Sequence, residues 1–140
     1  MSLATAHIRI ARPTNNLSSL THFYQTGLGF TPLGAFQDHA GFSGIVLGHP
    51  TLAAYQLEFT HHQTGAPVGR APTQDNLLVF YLPDGEEFAR ATRRMEEEAG
   101  LEPVKSYNPY WDGVGRTYED PDGWRVVLAN MKAPFVGGRA

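Results

Sequence analysis

Residues 7–30 read HIRIARPTNNLSSLTHFYQTGLGF, and this stretch decides the fold of the chain. It begins with alternating polar and apolar side chains, which is the period of a half-buried strand. After Pro13, apolar side chains recur at three- and four-residue spacing, which predicts an amphipathic helix that stops at Gly27. Three more strands follow, two of them joined by a hairpin at 38–41, so residues 5–60 predict one βαβββ module.

The same order of elements returns in the second half of the chain. An apolar strand over 76–82 precedes a helix over 85–99, and strands follow near 102–107, 114–119 and 124–131. We therefore expect an α+β fold in which two βαβββ modules form a cupped mixed sheet around a cavity. The modules span about residues 5–60 and 75–131 of a single domain, 1–140, with a linker at 61–74 and a tail at 132–140.

Composition excludes several classes of function. The formal net charge is -3, from 11 basic and 14 acidic residues without a basic stripe, so no nucleic-acid partner is expected. Cysteine is absent, which excludes a disulfide framework, a thiolate nucleophile and a cysteine zinc site. No apolar run approaches membrane-spanning length, and no secretory signal segment is evident. We expect no membrane partner and a cytoplasmic location.

Two strands of the first module bring polar side chains to one inward face. His7 and Arg9 alternate with two isoleucines that must face the helix, and Gln56 and Glu58 alternate with apolar residues of the fourth strand. One interpretation is a ligand-binding wall, in which His7 acts as a general base and Glu58 sets its protonation. The other is an ion pair between Arg9 and Glu58 in a wet cavity, with His7 merely hydrogen-bonded.

Aromatic side chains form a second candidate group. Phe36, Tyr107, Tyr110 and Trp111 lie outside the helical stripes, and the last two fall in a predicted loop over 108–113. Large rings with a polar tip suit contact with an apolar or planar ligand. A hydrophobic plug or a dimer contact would use the same residues, so both interpretations stay open.

Three segments together carry a resemblance to a known superfamily. They are the His7 strand leading into LSSLTHFYQTGLGF, the strand ending LEFT around Glu58, and EDPDGWRVVL over 119–128. The chain resembles the vicinal-oxygen-chelate proteins, which include glyoxalase I, extradiol dioxygenases, fosfomycin-resistance enzymes and bleomycin-resistance proteins. The resemblance covers essentially the whole chain. It implies a small-molecule ligand within the cup and a homodimer.

The resemblance also implies a divalent metal ion, held on the first and last strands of each module. His7 falls at the first-strand position and Glu58 at the fourth-strand position. The second module departs from the pattern, because it offers Asn76 or Leu77 and then Val127. Catalytic metal sites generally need about three protein ligands, so His7 and Glu58 form an incomplete set. The spare candidates are His61, His62 and Glu119.

The missing ligands favour a small-molecule-binding protein of the bleomycin-resistance type, with a degenerate metal site and no certain cofactor. Ligand contacts are then predicted at Arg9, Gln56 and the four aromatic residues. The first alternative is a metal-dependent lyase, isomerase or dioxygenase of the glyoxalase or dioxygenase type, in which His7 and Glu58 hold a divalent ion. The second alternative is a metal-free acid–base enzyme that uses the same two residues.

Overall fold

Two units make up the part of the chain that the computed structural model describes, residues 2–137, and their boundary lies between Gly69 and Arg70. Each unit contains one mixed sheet and a helix that contacts it. The predicted α+β class is therefore confirmed. The boundary falls within the predicted linker at 61–74.

The first unit has the βαβββ order expected from residues 7–30. Its elements are β1 (Ile8–Pro13), α1 (Leu17–Thr21, continued by a π-helical segment, His22–Gly27), β2 (Thr31–His39), β3 (Phe42–His49) and β4 (Leu52–His62). The strands lie in the order β1-β4-β3-β2, with β1 parallel to β4 and the other neighbours antiparallel. The buried Thr14 joins the helix to the sheet, because its amide donates to the carbonyl of Thr60 (2.8 Å).

One face of this sheet packs on α1. The alternation in β4 puts Leu57 and Phe59 on that face, where they are almost fully buried with Leu20, Phe23 and Tyr24 of the helical stripe. Burying a side chain of this size contributes about 1.5–3 kcal/mol. The same alternation leaves the polar side chains of β4 on the opposite face.

The second unit repeats this pairing with one strand fewer. Its elements are β5 (Leu77–Tyr81), α2 (Gly85–Arg93, continued by a π-helical segment, Arg94–Glu98), α3 (Pro109–Val114), β6 (Gly115–Glu119) and β7 (Arg125–Ala129). The strands lie in the order β5-β7-β6, with β5 parallel to β7 and β6 antiparallel. The strand predicted at 102–107 is reduced to a single bridge between Val104 and Thr117.

The loop predicted over 108–113 is wrong, since Pro109–Val114 forms the helix α3. Asn108 caps this helix: its side-chain oxygen accepts a hydrogen bond from the amide of Tyr110 (3.0 Å). Pro109 occupies the first turn, where its fixed φ suits a helix and its missing N–H costs nothing. The Asn-Pro pair is thus a helix start rather than a turn. This start signal for a helix can be identified from the sequence alone.

A buried tyrosine ties α2 to the second sheet. Tyr118 is fully buried, and its hydroxyl donates to the Oε2 atom of Glu96 (2.6 Å), which also accepts from Arg116. The Tyr118 bond is the main cause that lowers the pKa of Glu96 below its ordinary value. Burial is the main cause that raises the pKa of Tyr118.

Replacing Tyr118 with Phe should lower the free energy of unfolding by about 2 kcal/mol at neutral pH, because a hydrogen bond to a charged acceptor is lost. The folded-state pKa of Glu96 is lowered, so its contribution is present above the ordinary value of 4.5 and is lost as pH falls through the folded pKa. The difference between the two proteins should therefore shrink in acid. Denaturant titrations at pH 7 and pH 3 measure this, with the exposed Tyr107→Phe as a control. If the two proteins differed as much in free energy of unfolding at pH 3 as at pH 7, the link between Tyr118 and the Glu96 carboxylate would be contradicted.

Within residues 2–137, no helix has both the length and the apolar content needed to cross a membrane.

Candidate functional site

The face of the first sheet turned away from α1 carries most of the residues predicted for the site. We call it the distal face, and strand register arranges it in three rows. Read from β1 to β2, the rows are Arg9, Gln56, Gly48, Thr31; then Ala11, Glu58, Val46, Gly34; then Pro13, Thr60, Gly44, Phe36. Two of these twelve residues are charged, and three are glycines.

Arg9 is held by two neighbours on β4. Its Nε and Nη2 atoms donate to the Oε1 atom of Gln56 (3.1 and 3.0 Å), and its Nη1 atom donates to the Oε1 atom of Glu58 (3.2 Å). The Arg9 side chain is 50% exposed and that of Glu58 is 19% exposed. An ion pair this accessible contributes only about 0–1 kcal/mol to stability. Its main consequence is to fix the position of the guanidinium group.

Two glycines of β3 leave room on the distal face for side chains of the neighbouring strand β2. A Cβ atom on Gly44 would lie 2.6 Å from the ring of Phe36, and one on Gly48 would lie 2.7 Å from Leu33. Both side chains can therefore rest against the sheet. A Cβ atom on Gly34 would have no described atom within 4 Å, so the surface beside Val46 is open.

These three glycines are not among the site residues predicted from the sequence. For two of them the sequence does contain a signal, because Gly44 and Gly48 alternate with Ile45 and Leu47 in β3. That pattern indicates one face of large side chains and one of small ones.

Five of the predicted site residues belong to the first unit, and the structure places four of them on one face. Arg9, Gln56, Glu58 and Phe36 share the distal face, and the Arg9–Glu58 ion pair considered from the sequence is present. His7 is exposed and precedes β1. Glu58 pairs with Ala11, which follows His7 by four residues or about 13 Å of strand. His7 is therefore not level with Glu58.

The remaining aromatic candidates belong to the second unit. Tyr110 and Trp111 lie on α3 with their ring centroids 5.0 Å apart in an edge-to-face arrangement. Tyr107 precedes the helix and is 67% exposed. The carboxylate of Asp112 accepts from the amide of Ser106 (3.1 Å), which closes the turn that carries these rings. Their predicted contact with a ligand stays a prediction.

A divalent ion does not fit the residues that the resemblance assigns to it. Glu58 already accepts a hydrogen bond from the permanent cation Arg9, whose charge repels a metal ion at the same place. No group of three or more His, Asp or Glu side chains in the described part of the chain could hold a metal.

The spare ligands are also engaged elsewhere. Glu119 binds Arg125 (3.1 Å) and Arg70 (3.4 Å). A ring nitrogen of His61 lies 3.0 Å from the carbonyl oxygen of Thr14, and the His62 ring packs on Phe42. At the second-module positions, Asn76 accepts from Thr73 and Val127 is fully buried.

Comparison with known proteins identifies the family. Residues 8–60 match the YycE-like N-terminal domain, and residues 75–130 match the YycE-like C-terminal domain. The uncharacterized protein YycE of Bacillus subtilis (strain 168) is 46% identical over 133 residues, covering 94% of this chain and 92% of the relative. A crystal structure of a YycE protein of unknown function from Bacillus subtilis has a TM-score of 0.84 at 43% identity and covers 94% of each chain.

More distant structures share the fold. The fosfomycin resistance protein FosX from Mesorhizobium loti has a TM-score of 0.66 at 13% identity, with 94% of each chain covered. TnmS3, an antibiotic binding protein from Streptomyces sp. CB03234, has a TM-score of 0.58 at 19% identity, with 91% of this chain and 98% of that one covered. Both likenesses concern the fold alone.

Proposed function

Because this chain belongs to the YycE-like family of the vicinal-oxygen-chelate superfamily, we propose that it binds a small organic molecule on the distal face without a resident metal ion. One observation carries the proposal: Arg9 is fixed by Gln56 and Glu58 on a face whose surface is open at Gly34. Sites for small molecules combine apolar area with a few positioned polar groups, and this face has both.

Packing explains two of the three glycines on the distal face. Phe36 rests on Gly44 and Leu33 rests on Gly48, where a Cβ atom would clash. A Cβ atom would fit at Gly34 without any clash, so packing does not require a glycine there. Glycine in a strand marks a bulge or a close approach of a ligand to the backbone, and a register shift of β2 does lie beside Gly34. We assign the open surface at Gly34 to the ligand.

The distant structures agree with this class of function. FosX is named for fosfomycin resistance and TnmS3 for antibiotic binding, and both have this fold. We extend to this chain only the binding of a small molecule. The homodimer and the cytoplasmic location expected from the sequence belong to the same proposal.

The two enzyme alternatives have less support. A metal-dependent enzyme would need Glu58 as a ligand, yet Glu58 is paired with Arg9. A metal-free acid–base enzyme would need His7 near Glu58, yet strand register separates them.

The proposal is tested by screening apolar and aromatic compounds against ¹⁵N-labelled protein by NMR. We expect hits to shift the amide signals of the three rows, above all those of Arg9, Val46 and Glu58. The proposal would be wrong if hits shifted only signals of the second unit, or if a broad set of such compounds gave none.

A further inference from the structure

On the basis of the proposed function, we infer that the ligand carries an oxyanion, a carboxylate or a phosphonate, which binds the N–H groups left on the two terminal nitrogens of Arg9.

The donor count leaves Arg9 with two N–H groups to offer. A guanidinium group has five N–H donors, one on Nε and two on each terminal nitrogen. Gln56 takes one from Nε and one from Nη2, and Glu58 takes one from Nη1. One N–H therefore remains on Nη1 and one on Nη2, as far as residues 2–137 are concerned. Both belong to one planar cation, whose N–H groups bind strongly to the oxygens of a carboxylate or phosphonate.

The accessible charge of the pair is the positive one. The Arg9 side chain is 50% exposed, whereas that of Glu58 is 19% exposed. The described contact of Glu58 is made through Oε1, which faces Nη1 of Arg9. A ligand approaching the distal face therefore meets the guanidinium group first. This arrangement favours an anion over a cation.

The position of the guanidinium is fixed before any ligand arrives. Gln56 and Glu58 hold it from the adjacent strand, so binding need not order a long, free side chain. Ordering such a side chain would otherwise weaken the binding. Val46 lies in the next row of the same face, and Leu33 rests on Gly48 in the row of Arg9. The anion should therefore belong to a molecule with an apolar or aromatic body.

Three probes that share a phenyl ring test the inference: benzoate, phenylphosphonate and the neutral benzamide, which has the planar shape of benzoate. Affinities are measured by NMR titration at low ionic strength for the unmodified chain, Arg9→Gln, Arg9→Lys and the control Arg93→Gln. Arg93 is exposed on α2 in the second unit, so its replacement removes the same charge elsewhere. We expect at least one anion to bind about tenfold or more tightly than benzamide, as a charge-assisted pair allows.

Arg9→Gln should remove that preference, so that the anions bind no more tightly than benzamide. Arg9→Lys should keep only part of it, because an ammonium group lacks the planar pair of donors. Arg93→Gln should have no effect. Equal binding of benzamide and the anions, binding of neither anion, or an anion affinity unchanged in Arg9→Gln would each overturn the inference.

The Gly34→Phe variant separates this failure from failure of the proposed function. Probe binding that is lost in Gly34→Phe but unchanged in Arg9→Gln would refute the recognition of an anion by Arg9. It would leave the distal face as the binding site. Probe binding that is unchanged in both variants would refute both.

Discussion

Gly34→Phe should abolish ligand binding and leave the protein as stable as before. A side chain at this position points away from α1, into the row that holds Val46 and Glu58, and a Cβ atom there meets no described atom within 4 Å. The backbone does not resist the change, because φ at Gly34 lies outside the left-handed region. A phenyl ring would therefore occupy the open surface without disturbing the core. Affinity for a hit from the NMR screen measures the effect, and thermal unfolding checks the fold.

Gly69→Phe is the matched control. Gly69 also has no described atom within 4 Å of a Cβ position, and it lies outside the strands. The control should bind the ligand as the unmodified chain does. Undiminished binding by a folded Gly34→Phe variant would show that the ligand does not use the distal face.

Gly115→Ala should destabilise the second unit by about 3 kcal/mol, at the upper end of the usual cost of overpacking. Gly115 joins α3 directly to β6 and pairs with Ala129 on β7. A Cβ atom there would lie 1.9 Å from the carbonyl oxygen of Leu128, which is backbone and cannot rotate away. The φ angle is -176, which any residue adopts, so the clash alone carries the effect. Denaturant unfolding provides the measurement.

Gly113→Ala, two residues earlier, should raise the stability of the second unit. Gly113 lies within α3 and has no described atom within 4 Å of a Cβ position. Alanine is favoured over glycine in a helix by about 0.8–1 kcal/mol. If the two variants had equal stability, the close junction of α3 and β6 would be refuted.

The faces of β4 were predictable from the sequence. Alternation alone puts Leu57 and Phe59 on the face that packs on α1, and both are buried. It also puts Gln56 and Glu58 together on the other face, where both bind Arg9. A period of two residues is a local property of a strand, so no knowledge of its partners is needed.

Strand register was not predictable in the same way. Whether His7 or Ala11 lies opposite Glu58 depends on how β1 pairs with a strand more than 40 residues away. The hydrophobic pattern fixes which face a residue takes but allows shifts of two residues, since these keep every side chain on its face. The sequence therefore predicts the polar composition of the distal face but not which side chains lie level with one another on it.

A permanent cation beside Glu58 changes the chemistry expected of this face. The guanidinium group of Arg9 can neutralise and orient an oxygen-bearing ligand directly, with fixed geometry and without a metal. Its pairing with Glu58 engages the Oε1 atom of the carboxylate that the resemblance assigns to a metal ion. The same ion pair therefore supports both proposals, an oxyanion ligand and binding without a resident metal ion.

A crystal structure of the chain grown with its tightest ligand and soaked in manganese tests this account most directly. The account predicts a ligand oxygen within hydrogen-bond distance of Nη1 or Nη2 of Arg9, the Arg9–Glu58 pair intact and no manganese beside Glu58. Manganese bound by Glu58 with Arg9 turned away, or a ligand remote from the distal face, would contradict it.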